Sequence, residues 1–289
     1  LADPQYYQSS DKFESSGLFL IIMFGLISSV GLGIIYGYII YYLPIVYFNV
    51  ICTFLLGGFI GYFVSLGGKK GKIRNAKLVL ISGFLFSVIG LYVAWVSWFH
   101  AFSKQELIAL DPLLLKELIR KVSVVGAWSF NDTTPTDGIL YACWAIEAFI
   151  IIGSGGTIAS KTFEFTPFCE NCYEWITIKD SISRLEPIDD PNEFIRQLEI
   201  GNFSVVTSLN KTKGNNESIS TQIDLFHCPK CKKKYLLTVL MVLLGLDSEH
   251  NLKKESHSIV EYFLITQNQF EKLKTNWRKT PAKNQKNIM

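Results

Sequence analysis

From Ser15 to Gly68 the chain carries no Asp, Glu, Lys or Arg. Over all 289 residues only 18% are charged, against 49% apolar. That deficit argues against a wholly water-soluble chain. The four histidines are scattered and form no cluster. Also missing are a Walker A loop, a dinucleotide-type glycine loop, an H-E-x-x-H pair and a G-x-S-x-G elbow. Their absence removes the usual sequence grounds for nucleotide, metalloprotease or serine-hydrolase chemistry, and no catalytic residue is assigned. A cleavable leader is not expected either. The first apolar run is too long for one, and it follows Asp3, Asp11 and Glu14 with Lys12 alone in opposition.

The charge that is present is unevenly placed. Of the 53 charged residues, 34 lie from Ser160 onwards. The reading is a four-span α-helical membrane bundle followed by a small α+β domain in water. The expected boundaries are a cytoplasmic tail over 1–16, the bundle over 17–160, a metal-binding domain over 161–275 and a basic tail over 276–289. The net charge of +3 is too small to indicate nucleic acid as a partner, and the soluble part is itself nearly balanced.

A helix needs about 20 apolar residues to cross hydrocarbon, because nothing there satisfies free backbone groups. The spans are placed at 17–42, 44–66, 78–99 and 138–160, with Pro44 at a helix start. Small residues recur every fourth position on the first two. One stripe is Gly25, Ser29, Gly33 and Gly37; the other is Thr53, Gly57, Gly61 and Ser65. Such stripes let helix backbones approach closely, and they are expected to face each other across one antiparallel hairpin. Cys52 and Cys143, in apolar surroundings, read as small packing residues.

The loop "GGKKGKIRNAK" holds Lys69, Lys70, Lys72, Arg74 and Lys77. Short basic loops stay in the cytoplasm, which places both termini inside and residues 100–137 outside. Trp95 and Trp98 then fall at the outer interface. Within the outer segment, Asp111 and Pro112 start an amphipathic helix reaching about residue 124. It lies on the leaflet or caps the bundle. Asn131-Asp132-Thr133 forms a sequon, read as coincidental in an Asn-rich sequence.

Glu147 is the one charged residue inside any expected span. Burying a carboxylate there is costly, and no Lys or Arg lies in another span to pair with it. It is either an inter-helix clamp or part of a proton or ion pathway.

Four cysteines read as two doublets, Cys169/Cys172 and Cys228/Cys231, separated by 55 residues. Two C-x-x-C turns can close a tetrahedral thiolate site of the kind Zn²⁺ prefers. In "FCENCYEWITI" and "FHCPKCKKKYLLTV" an aromatic precedes the first Cys and a strand-like run follows the second. These two stretches, and no more of the chain, resemble the zinc ribbon with its rubredoxin-like knuckles. The expectation is structural Zn²⁺, with iron on the same ligands less favoured. Lys230, Lys232, Lys233 and Lys234 would offset the thiolate charge, and His227 reads as a bystander.

Around this site a helix is expected over "DPNEFIRQLE". Strands are expected over "NFSVVTSL", "SISTQIDLF", "KYLLTVLMVLLGL" and "HSIVEYFLIT". A final helix is expected with Thr266 and Gln269 at capping-box spacing. Three functions are compatible with this layout. One is a membrane scaffold or sensor binding another protein through its cytoplasmic domain. The second is a subunit of an oligomeric channel or transporter using Glu147. The third, disfavoured by the charge balance, is a membrane-tethered nucleic-acid binder.

Overall fold

A computed structural model describes residues 5–129, 133–163, 166–212, 218–246 and 252–278. The chain divides into two units, Ser10–Phe165 and Leu1–Ser9 together with Thr166–Met289. The sequon at Asn131 and most of the basic tail lie outside the described residues.

The first unit contains four helices long and apolar enough to cross a membrane: α1 (Ser15–Tyr42), α2 (Val46–Lys70), α3 (Ala76–Phe102) and, after a shorter helix, α5 (Asp137–Phe163). Pro44 stands two residues ahead of α2 rather than inside it. The side chain of Asn75 caps α3 by accepting from the Leu78 amide at 2.9 Å. An interaction of this kind stabilises a helix by about 1 kcal/mol.

The small-residue stripes pair differently from the expected hairpin. The α1 stripe packs on α3: a methyl group on Gly33 would meet the Gly90 carbonyl at 2.7 Å, and the corresponding position on Gly25 falls within the Phe86 ring. Ser29 reinforces the seam, its hydroxyl donating to the Phe86 carbonyl at 2.7 Å. The α2 stripe packs on α5, with Gly57 against Ile151 and Gly61 against Gly155 and Ala159. Of the glycines of "GSGGTIAS" in α5, Gly155 presents its carbonyl to Gly61, while the side positions of Gly155 and Gly156 face Ser87 and Phe84 of α3. A loop as short as 43–45 makes α1 and α2 neighbours, but it does not decide which face of each helix meets which. α1 and α2 touch instead near Gly17 and Gly67.

The short helix α4 (Pro112–Val125) is amphipathic, and Asp111 caps it by accepting from Leu113 N at 3.0 Å. Its Leu115 and Val122 are buried against Val96 and Phe99 of α3. Thus α4 covers one end of the bundle, while Leu113 and Val125 point outward, 73% and 71% exposed.

The second unit is strand-rich. A two-residue hairpin, β1 (Phe168–Cys169) with β2 (Glu174–Trp175), precedes a four-stranded antiparallel meander. The meander runs β3 (Ile178–Leu185), β4 (Ile219–His227), β5 (Tyr235–Leu246) and β6 (Leu252–Ile265). Helices α6 (Pro191–Glu199), α7 (Ser204–Thr207) and α8 (Gln267–Arg278) complete it. The stretch expected as a strand over 202–209 is mostly loop and the one-turn α7. Its apolar residues Val205 and Val206 are adjacent rather than alternating, and Val206 fills the core beside Phe194 and Leu198. The capping box at α8 forms as expected: the Thr266 amide donates to Gln269 Oε1 at 2.8 Å, and Gln269 N donates back to Thr266 Oγ1 at 3.3 Å.

β5 is apolar on both faces for a physical reason. Leu237 and Val239 enter the main core with Phe263 and Phe270, while Leu236 turns to a second cluster containing Cys169 and Cys228. A strand buried on both sides loses the polar alternation of a half-exposed one.

Nor is the N-terminal segment a free tail. Gln5 to Tyr7 lie along the β6 edge: the Leu264 amide donates to the Gln5 carbonyl at 2.8 Å, and the Tyr7 amide donates to the Tyr262 carbonyl at 2.9 Å. The Tyr7 hydroxyl accepts from the Phe168 amide at 2.9 Å.

Candidate metal centre and inter-helix carboxylate

Each cysteine doublet sits at the tip of a hairpin. Cys169 ends β1 and Cys172 lies in the turn to β2, while Cys228 and Cys231 occupy the turn joining β4 to β5. His227 pairs with Tyr235 to close the second turn, and with Ile178, on the strand that follows β2, which sets it beside the first. Within the turns, Cys172 N donates to the Cys169 carbonyl at 3.3 Å and Cys228 N to the Lys234 carbonyl at 3.1 Å. The residue after each second cysteine has a left-handed backbone: Tyr173 at φ 54° and Lys232 at φ 50°. Non-glycine residues rarely take this conformation. Its occurrence at the same place in both turns means that each chain bends sharply to aim two thiols at one point.

The four sulfurs converge. All the Sγ atoms lie within 4.8 Å of one another, and Cys169 and Cys231 are 3.7 Å apart. Four tetrahedral ligands at about 2.3 Å from a metal would stand roughly 3.8 Å apart. The cluster therefore has the size to share one metal ion. Cys169 and Cys228 are buried, and Cys172 and Cys231 are partly exposed. A hydrogen bond with the Lys233 backbone lowers the Cys231 thiol to about 7, whereas its hydrogen bond with Cys231 pushes Cys172 up to about 12. One thiol of the group thus yields its proton readily and another holds it.

The lysines around the turn have separate partners. Lys230 forms an ion pair with Glu174 at 2.7 Å. Lys234 lies 4.4 Å from the centre of the Tyr7 ring. His227 stands apart from the sulfurs, packed edge-on against Phe270 with ring centres 5.4 Å apart. Desolvation is the main cause that lowers its pKa, and the charge of Lys274 adds to that.

In the other unit, Glu147 on α5 has a hydroxyl partner that the sequence did not single out, and Thr53, read there only as a packing residue, stands behind it. Tyr36 on α1 donates to Glu147 Oε1 at 2.5 Å. The Tyr36 oxygen also lies 3.0 Å from Thr53 Oγ1 on α2, which donates to its own helix at the Asn49 carbonyl. Three helices are tied at one level. Beside them is a cavity of about 380 Å³, with Glu147 and Cys143 in its wall. A signal existed in the sequence: Tyr36 and Thr53 are polar groups at the same depth from the loop joining their helices. Neither is charged, so neither pointed to Glu147.

Searches of protein-family models, of curated proteins and of solved structures each returned no match. What the chain does must be argued from its own chemistry.

Proposed function

We propose that this chain is an integral membrane scaffold or sensor, in which four spans anchor a zinc-stapled cytoplasmic domain that engages another protein. The observation that carries this reading is the convergence of four thiols within 4.8 Å at the joined tips of two hairpins. Tetrahedral sulfur ligation suits Zn²⁺ or iron, and zinc fits a staple because it has no redox chemistry. Four thiolates fill the coordination shell and leave no position for a reacting water, so the metal's part is to hold the fold. The resemblance to a zinc ribbon belongs to this reading.

Orientation is argued from the basic residues 69–77, which favour the cytoplasmic face. Four spans return the chain to the side on which it started. The pairing of Gln5–Tyr7, which precede the four spans, with β6, which follows them, agrees with that. The protein-binding role is tested with a Cys228→Ser variant in membranes. It should lose a partner captured by crosslinking to the native chain while the bundle keeps its thermal transition. Capture of the same partner with unchanged yield would count against the role. Epitopes placed at Lys104 and at the C-terminus should be reached from outside and inside respectively.

A second reading, as a subunit of a self-associated channel or transporter, is favoured by the cavity against Glu147. Against it, the α1–α3 and α2–α5 seams are closed by backbone contact at Gly33, Gly57 and Gly61. Glu147→Gln should abolish ion flux in reconstituted vesicles if this reading holds. Nucleic-acid binding is weaker still, because Lys230 and Lys234 are engaged by Glu174 and Tyr7.

A further inference from the structure

The cavity beside Glu147 is not an anonymous gap. It lies where the C-terminal ends of α1 and α3 meet the N-terminal ends of α2 and α5, away from the basic loop at 69–77. Besides Tyr36, its walls carry six large aromatic rings: Tyr41, Trp95, Trp98, Phe102, Trp128 and Trp144. Several hold one another in place. Trp95 meets Trp144 edge-on with centres 5.0 Å apart, and Trp98 stacks on Phe102 at 5.2 Å. Tyr41 meets Trp98 edge-on at 6.4 Å. Rings locked this way are preformed and lose little freedom when something binds between them.

The polar content of the wall is one-sided. Among the described residues, Glu147 is the single acidic one that lines the cavity, and no Lys or Arg lines it. Tyr36 occupies Oε1, while Oε2 accepts no hydrogen bond among the described residues. A carboxylate set among aromatic faces, with no built-in cation to neutralise it, is complementary to a ligand that brings its own positive charge. Aromatic faces attract ammonium groups through their quadrupoles, more strongly where water is excluded. The apolar remainder of the wall, Ile40, Val50, Leu91 and Ile150 among it, suits an alkyl portion.

We propose that this cavity is a binding site for a lipophilic organic cation, with a substituted ammonium head against Glu147 and the aromatic rings and an apolar tail along the helices. An anionic ligand is disfavoured by the carboxylate. A neutral apolar ligand could pack on the rings but would gain nothing from the carboxyl group. The site is independent of the metal centre, and the proposal stands whether or not the cysteine domain binds a protein.

The test uses the full chain in lipid nanodiscs and follows tryptophan fluorescence. The probes are hexyltrimethylammonium and its carbon isostere 2,2-dimethyloctane, which match in shape and differ in charge. The native protein should bind the cation at least about tenfold more tightly than the isostere, as expected for a desolvated ammonium among aromatic rings beside a carboxylate. Glu147→Gln keeps the acceptor for Tyr36 and should bring the two affinities to within about twofold by weakening only the cation. Val50→Trp, introduced at a half-exposed position on the cavity wall, should block both probes while leaving the thermal transition in place. Equal binding of the two probes by the native chain would overturn the proposal. So would cation binding unchanged in Glu147→Gln, or binding of neither probe.

Discussion

The hydroxyl of Tyr36 on α1 donates to the carboxylate of Glu147 on α5 across 2.5 Å, with Thr53 of α2 against the same oxygen. This contact ties three helices at one depth and gives a partly buried carboxyl its only hydrogen-bond donor among the described residues. Tyr36→Phe removes the donor and leaves the carboxyl unsatisfied, which should cost about 1–3 kcal/mol. Glu147→Leu combined with Tyr36→Phe should cost less than the sum of the single changes, because two apolar partners leave no orphan. Thermal unfolding of the four proteins in one detergent measures the coupling, and strict additivity would mean that the contact carries no energy.

The helix seams make a graded prediction for glycine. Gly61 on α2 sits against the Gly155 carbonyl and Ala159 of α5, whereas Gly31 and Gly153 have open space where a methyl would go. Gly61→Ala must push two backbones apart and should destabilise by about 1–3 kcal/mol. Gly31→Ala and Gly153→Ala should be neutral or stabilise by up to about 1 kcal/mol, since alanine is the better helix former. The same unfolding assay reads all three.

Tyr7 gives a third prediction. It is buried beside Cys169, Cys228 and Leu236, accepts from the Phe168 amide and lies under Lys234. It therefore braces both hairpin tips. Tyr7→Phe should cost about 1 kcal/mol through the orphaned Phe168 amide, and Tyr7→Ala about 3–5 kcal/mol through lost packing. Both should speed metal release to a chelator, the alanine variant more. Equal release rates in all three proteins would mean that the N-terminal segment does not support the site.

Metal affinity should fall with falling pH. Ligation requires thiolates, so protons compete with the ion. Cys231 is lowered to about 7, whereas Cys172 is raised to about 12 and burial raises Cys169. Binding at pH 7 must therefore expel protons from Cys169 and Cys172, and each proton expelled lowers the apparent affinity about tenfold per unit fall in pH. Competition with a chromophoric chelator between pH 6 and pH 8 measures the slope.

Much of this was legible in the residues. Charge-free length marks the four long helices, and the cysteine spacing marks the cluster, because both signals are one-dimensional. Partner choice between helices was not legible. Gly33 and Gly57 announce close contact but not with whom, and the structure sends one to α3 and the other to α5. The helical turn at Ser204–Thr207 was misread as strand, since "SVVT" is β-branched and only tertiary packing of Val206 decides it. The link from Tyr7 to Phe168 spans 161 positions, and neither local pattern nor periodicity reports a contact of that separation.

The central claim is that Cys169, Cys172, Cys228 and Cys231 hold one zinc ion through sulfur alone. X-ray absorption on the purified full-length chain, with elemental analysis of the same sample, tests it directly. The account predicts one zinc per chain with four sulfur neighbours at about 2.3 Å, lost in Cys228→Ser. Preparations with no bound metal, or a first shell containing nitrogen or oxygen, would contradict it.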